Sequence, residues 1–333
     1  MRSMQVTVLG AGSWGTTVAT LLAARHPTML WARNPDTADE IEREHTNASY
    51  LPGFQLPVNL LATADLEKAV AQAELLIVGV PTTAFRTTLE QARTWIHPWI
   101  PVVSLAKGLE QESLLRMTEV IADVLPGHPA AALTGPNIAR EIMSGQAAAS
   151  VIATPDLAVA KALQHVMRRG VFRIYTNHDV VGCELGGALK NVVAIACGIA
   201  QGLGVGDNTR SMVMTRGLAE LTRLGVAMGG EAVTFAGLAG MGDLVTTCIS
   251  PHSRNRTVGE QLGAGRALSD ITSEMNMVAE GLKTAVTAHD LAERYQLDLP
   301  VHDAIYRVVT GEMDAGHAYR GLRRPAGHEA EPG

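Results

Sequence analysis

The chain contains only 3 cysteines in 333 residues, and Cys183, Cys197 and Cys248 are far apart. Their odd number and the lack of a CxxC pair exclude a disulfide framework and a thiolate metal site, and they fit a reducing compartment in which these are core thiols. None of the 11 histidines stands four residues from another, so no helix face carries two imidazole ligands and no metal is expected. Aromatic residues make up 4%, which leaves Ala, Val, Leu and Met to build the core. Cationic excess is missing as well: 27 Lys and Arg against 33 Asp and Glu give a net charge of −6. That balance excludes a general attraction to nucleic acid or anionic lipid, and any anionic ligand must meet a local cluster of cations. The first residues enter a strand pattern without the basic, apolar and small-residue sections of a secretion signal. The most apolar later stretch, around Val192–Ala200, is interrupted by Gly202 and Gly204 and falls short of the roughly 20 residues that span a bilayer. A cytoplasmic protein without membrane insertion is expected.

What is present is an apolar composition of 47% and a length that favours two domains. Between Met4 and Tyr175, short aliphatic runs alternate with helical patterns: Gln5–Leu9, Thr28–Ala32, Leu75–Val80, Val102–Ala106, Ala130–Thr134, Ala149–Ala153 and Val171–Tyr175. That βαβ rhythm predicts a mainly parallel sheet covered on both faces. Asn177-His178-Asp179 reads as a helix cap, and long Ala, Gly and Leu-rich helical segments follow. The expected division is therefore an α/β domain over residues 1–178, an all-α domain over 179–316, and a mobile tail over 317–333. Polar loops are expected at Gly204–Asn208 and Cys248–Arg256.

Gly10, Gly12 and Gly15 form a GxGxxG directly after the first strand and at the start of a helix. In that context the glycines allow a tight turn and close approach of a pyrophosphate, whose charge meets the helix N-terminus. The first domain therefore reads as a Rossmann-type doubly wound fold that binds a dinucleotide. After the second strand, Trp31-Ala32-Arg33-Asn34 carries a cation where an NAD-specific enzyme carries an acid. Arg33 fits the 2′-phosphate of NADP, or else is an ordinary solvated arginine; nearby Asp36 leaves NAD acceptable too.

The apolar segment Val180–Ala200 carries one lysine, Lys190. An ammonium there must be paired, functional or snorkelling to water, and desolvation lowers its pKa into the range useful for proton transfer. Lys107 ends a parallel strand, the edge at which ligands of such sheets bind, and Gly135-Pro136-Asn137 ends the next one before a helix near Ala139. Both are also compatible with plain loop punctuation. Asp243, after Gly240-Met241-Gly242, is placed to orient Lys190 or a substrate hydroxyl, as well as to serve as a turn residue. Pro251-His252-Ser253-Arg254-Asn255-Arg256 brings two guanidinium groups, a hydroxyl and an amide together, a set able to clamp a phosphate or to start a helix with solvated arginines.

From about Val6 to Val309 these motifs resemble the bacterial NAD(P)-dependent glycerol-3-phosphate dehydrogenases: GAGSWGT, LWAR, YLPG, VGVP, AKGLE, GPNIAREI, LGGALKNVVAIACGIAQGLGVGDNTR, TRGLAELTRLGVAMGG, LAGMGDLVTTC and SRNR. The resemblance implies reduction of dihydroxyacetone phosphate to sn-glycerol 3-phosphate for phospholipid synthesis, with NADP or NAD as cofactor, and a homodimer. It places Ser13, Trp14, Arg33, Ala139, Val278 and Glu280 on the cofactor, with Lys107 and Arg254 reaching both cofactor and substrate. It places Gly135, Asn137, Asp243, Ser253 and Asn255 on the substrate, and makes Lys190 the proton donor in reduction and acceptor in oxidation. Three departures stand out: AKG for SKG, Asn137 for a smaller hydroxyl residue, and Ala279-Glu280-Gly281 for Val-Glu-Gly. A rival dehydrogenase acting on 3-hydroxy acids is expected to carry an asparagine one helical turn beyond its lysine, whereas Asn191 adjoins Lys190 and points about 100° away. A redox-sensing protein that holds NADP without turnover is disfavoured by two lysines in an apolar setting.

Overall fold

The computed structural model describes residues 3–275 and 279–321. The chain gathers into two units, Met1–Ala106 with Leu115–Val180 and Lys107–Leu114 with Val181–Gly333.

The first unit is an eight-stranded sheet of β1 (Val6–Leu9), β2 (Thr28–Trp31), β3 (Leu60–Thr63), β4 (Leu75–Val78), β5 (Val102–Ser104), β6 (Ala130–Thr134), β7 (Ala148–Ala153) and β8 (Phe172–Asn177). Its order is β3-β2-β1-β4-β5-β6-β7-β8, parallel throughout except for β6 with β7. Every residue of β1 and β4 is buried, as expected of central parallel strands covered on both sides. One side packs Val8, Val18, Leu22, Leu30 and Ile77, and the other packs Leu9, Leu76, Val78, Phe85 and Val120. The chain order reverses on either side of β1, so the glycine turn after β1 lies at the point where doubly wound sheets take ligands. β3 was not anticipated: it is a four-residue edge strand, pairs only with β2, and leaves Leu61 exposed, too short a run to show an alternation.

The second unit is helical. At its centre the helix Val180–Gly202 is buried along almost its whole length, amid Leu221, Leu224, Phe235, Leu244 and Ile305. Its 23 residues are longer than the apolar stretch expected from sequence and would suffice to cross a membrane, but 89% of its most apolar window is buried within the protein. Of the two glycines expected to interrupt it, Gly202 is its last residue and Gly204 lies beyond its end at φ +71°; Gly198 and Gly202 serve packing. A Cβ on Gly198 would stand 2.1 Å from Arg256 O, and one on Gly202 2.2 Å from Glu260 O. Reciprocally, a Cβ on Gly259 or Gly263 of the helix Arg254–Gly263 would stand 2.1 Å from Ile195 O or 2.4 Å from Ile199 O. Two small residues one turn apart on each helix thus let the backbones touch.

Residues 107–114 belong with this helical unit because Leu109 is buried in its core and Leu114 packs on it. The loops are tighter than expected: Asp207 already begins the helix Asp207–Ala227, and only residues 250–253 separate Asp243–Ile249 from Arg254–Gly263. Residues 317–321, expected in the tail, lie in the helix Ala315–Gly321, and the remainder of the tail lies outside the described residues.

Candidate active site

In the first unit the glycine turn has the geometry its sequence requires. Gly10 has φ +112°, and a Cβ there would stand 2.8 Å from Gly79 C, so only glycine fits. A Cβ on Gly15 would meet Gly10 O at 2.0 Å, which draws the helix Ser13–Ala23 tightly onto β1. Gly12 has nothing within 4 Å of where a Cβ would stand, so its backbone is open to a ligand. Trp14, edge-on to Phe172, keeps a buried Nε1–H without a partner. Asn47, which the sequence reading missed, pins this turn: its buried Nδ2 donates to Ala11 O at 2.9 Å and to Thr16 Oγ1 at 2.8 Å. Arg33 is exposed just beyond β2, and Asn34 caps the next helix through the Asp36 N–H at 2.9 Å.

At the end of β6, Gly135 adopts φ +131° against β7, and the helix Ala139–Met143 begins at the expected residue. Asn137 Oδ1 accepts from the buried Ser150 hydroxyl, while its own Nδ2 is buried without a partner. An amide held at one end and unmet at the other is an oriented donor for a ligand oxygen.

The second unit assembles the titratable groups. Lys107 Nζ donates to Asp243 Oδ2 at 2.5 Å, and Lys190 Nζ lies 3.3 Å from Asp243 Oδ1. Lys190 is 3% exposed and Asp243 2%. One carboxylate between two ammonium groups, of which Lys190 is buried and Lys107 partly exposed, leaves a net positive charge that favours an oxyanion. Lys190 also donates to Thr247 Oγ1 at 2.7 Å and to Asn191 Oδ1 at 2.9 Å. Burial lowers its ammonium pKa from 10.5 to about 8; Asp243 opposes this, and Lys107 adds to it.

Asp243 is delivered by an irregular helix. Leu238–Gly242 forms a π-helical turn immediately before it. A Cβ on Gly240 would meet Phe235 O at 2.1 Å, and one on Gly186 would meet Ala239 O at 2.7 Å, so small residues let this turn press onto the central helix. Cys197 and Cys248 sit against each other in the same core, where their hydrogen bond and burial push the Cys248 thiol well up, as suits inert core sulfur.

Asn191 and Thr247 were missed as members of the site. The expectation that Asn191 points away from Lys190 is corrected by their hydrogen bond, because a four-carbon lysine stem folds back around its own helix. Thr247 stands one turn beyond Asp243 and donates to Asp243 O at 2.6 Å, an i to i+4 spacing that could have signalled it.

The cluster after Cys248 is only partly what its composition suggests. Ser253 caps Arg254–Gly263, accepting the Arg256 N–H at 3.3 Å, and Arg254 is exposed. Arg256, however, is buried and turned inward: its Nε donates to Ser250 O at 3.1 Å and its Nη1 to Gln201 Oε1. The pair of guanidiniums does not converge. Asn255 is buried beside Asn191, Glu280 is the first residue of the helix Glu280–Arg294, and Val278 lies outside the described residues.

A family model for the N-terminus of NAD-dependent glycerol-3-phosphate dehydrogenase matches residues 5–160, and one for its C-terminus matches residues 179–320. The chain is 55% identical over 331 residues to a glycerol-3-phosphate dehydrogenase (NAD(P)+) 2 of Sphingopyxis alaskensis, covering 99% of both chains. It is 49% identical over 331 residues to the corresponding protein of Mycobacterium avium, covering 99% of this chain and 97% of that one. The crystal structure of glycerol-3-phosphate dehydrogenase from Coxiella burnetii superimposes with a TM-score of 0.93 at 34% identity, over 96% of this chain and 98% of that one.

Proposed function

The chain belongs to the NAD-dependent glycerol-3-phosphate dehydrogenase family, and from that premise we propose that it reduces dihydroxyacetone phosphate to sn-glycerol 3-phosphate, reversibly, with NADPH or NADH. The product supplies glycerophospholipid synthesis. The observation that carries the reading is Lys190, a buried amine brought to about 8 beside Asp243 and Lys107, poised to exchange a proton near neutral pH.

The first unit fits a dinucleotide because Gly12 leaves its backbone open at a helix start. Gly10, Gly12, Ser13, Trp14, Gly15 and Ala139 hold the cofactor there, and Arg33 takes the 2′-phosphate, so NADPH is preferred. Lys107, Arg254 and Glu280 complete the set that the family resemblance assigns to the cofactor. When bound, the nicotinamide supplies the hydride.

In reduction Lys190 Nζ gives its proton to the oxygen forming at C2, and in oxidation it takes the proton back. Lys107 stabilises the same oxygen, while Asp243 keeps both amines in place. Gly135 and Asn137 orient the substrate, Asn137 through its Nδ2. Ser253, Arg254 and the Asn255 backbone N–H take the phosphate at a helix start.

The protein is cytoplasmic and acts as a homodimer. The exposed stripe Met241, Val245 and Ile249, spaced by four residues, supports self-association. A spectrophotometric assay tests the main reading: dihydroxyacetone phosphate accelerates NADPH or NADH oxidation, and unphosphorylated dihydroxyacetone is a poor substrate. Equal rates with both would refute the phosphate clamp.

A further inference from the structure

Both ends of the Asn255 amide are engaged inside the second unit. Its Nδ2 donates to Asn191 Oδ1 at 3.0 Å, and its Oδ1 accepts the Gly281 N–H at 2.9 Å. The same Asn191 oxygen accepts from Lys190 Nζ at 2.9 Å, so its two lone pairs are shared between the amine and Asn255. Asn191 Nδ2 faces Lys107 O at 3.4 Å. A continuous run of buried amides therefore leads from Lys190 to the start of the helix Glu280–Arg294.

Gly281 shows how tightly that helix start is seated. A Cβ there would stand 2.7 Å from both Asn191 O and Asn255 Oδ1, and 2.9 Å from Ile195 Cδ1. The helix start thus rests on the central helix at the level of Asn191, with Glu280 one residue before the contact.

We propose that Asn255 is a positioning residue whose side chain joins the Glu280–Gly281 segment to Lys190 through Asn191, so that capture of the cofactor and placement of the proton-transferring amine depend on one buried amide. The inference rests on the proposed function for the role of Glu280. It gives the Asn255 side chain a task separate from phosphate binding, which is left to the backbone N–H of the same residue. Removing the amide leaves the Gly281 N–H without its acceptor and Asn191 without one of its two donors. Both costs fall in buried surroundings, where an unmet polar group is expensive.

The test uses the intact protein without substrate, titrated with NADPH and followed by nicotinamide fluorescence, together with the pH profile of dihydroxyacetone phosphate reduction. Asn255→Ala weakens NADPH binding about tenfold in the absence of any phosphorylated substrate, the equivalent of one buried hydrogen bond. Asn255→Asp keeps an acceptor for Gly281, so NADPH affinity stays within about twofold, but it replaces the donor to Asn191 with an anion. The alkaline limb of reduction then moves to higher pH, because a nearby negative charge favours the ammonium. The groups that face this amine, Asp243, Lys107 and Cys248, are untouched by either change.

If Asn255→Ala raises only the KM for dihydroxyacetone phosphate and leaves NADPH affinity unchanged, Asn255 is a phosphate ligand and the proposal is overturned. Should that variant fail to fold, Asn255→Asp decides: an unmoved pH limb overturns the proposal equally. Failure of the unaltered protein to bind NADPH would instead sink the cofactor assignment, so the two failures are separable.

Discussion

Lys190 Nζ and Asp243 Oδ1 face each other at 3.3 Å from two different helices, while the second oxygen of the same carboxylate holds Lys107 at 2.5 Å. Asp243 cannot neutralise both amines. The surplus positive charge would favour an anion beside these amines, and the burial of Lys190 and Asp243 limits its screening by water.

The direction of the Lys190 shift sets opposite pH dependences for the two reactions. With Lys190 as the proposed proton donor, the kcat of reduction should fall as pH rises through about 8, and that of oxidation, which would use the free amine, should gain over the same interval. Initial rates in both directions between pH 6 and 10 check this. A reduction limb near the ordinary lysine value of 10.5 would contradict it.

Lys190→Ala should lower kcat by roughly 10²-fold or more, the range of a lost general acid, while NADPH still binds. Fluorescence titration beside the rate assay separates the two effects, and retained turnover would remove this amine from the proton path.

Asp243 raises the Lys190 pKa against the pull of burial. Asp243→Asn therefore moves the reduction limb to lower pH and decreases kcat at pH 7.5. A profile shifted upward would show that Asp243 acts on the amine in the opposite sense.

Arg254 and Arg256 are near neighbours for which separate duties are proposed. Arg254→Ala should raise the KM for dihydroxyacetone phosphate at least tenfold with little change in stability. Arg256→Ala removes the buried bonds to Ser250 O and Gln201 and should cost about 2–3 kcal/mol in denaturant unfolding. The reverse assignment of the two effects would disprove the division.

Arg33→Asp should turn the preference from NADPH toward NADH by roughly tenfold or more in kcat/KM, since a carboxylate repels the 2′-phosphate and accepts a ribose hydroxyl. No change would mean that the 2′-phosphate is recognised elsewhere.

The parts legible in the sequence were those governed by local rules. Gly10 and Gly15 announce themselves because no other residue fits their backbone, and Lys190 because a charge is rare in so apolar a helix. Ser253 was readable as a cap. What escaped depends on where distant segments meet. The inward turn of Arg256 follows from Gln201 and Ser250 being near, and the placement of residues 107–114 follows from Leu109 finding its burial in the helical core. Asn191 was misjudged because helical angle describes where a side chain departs, not where a long partner can reach it. β3 was too short to carry a pattern.

The seam of Gly198 and Gly202 against Gly259 and Gly263 joins the helix bearing Lys190 to the helix whose first turn carries Ser253 and Arg254. With main chain resting on main chain, no rotamer change can widen that spacing. The spacing between Lys190 and that first turn is consequently set by backbone rather than by side chains, and a Cβ at any of the four glycines would have to push the helices apart.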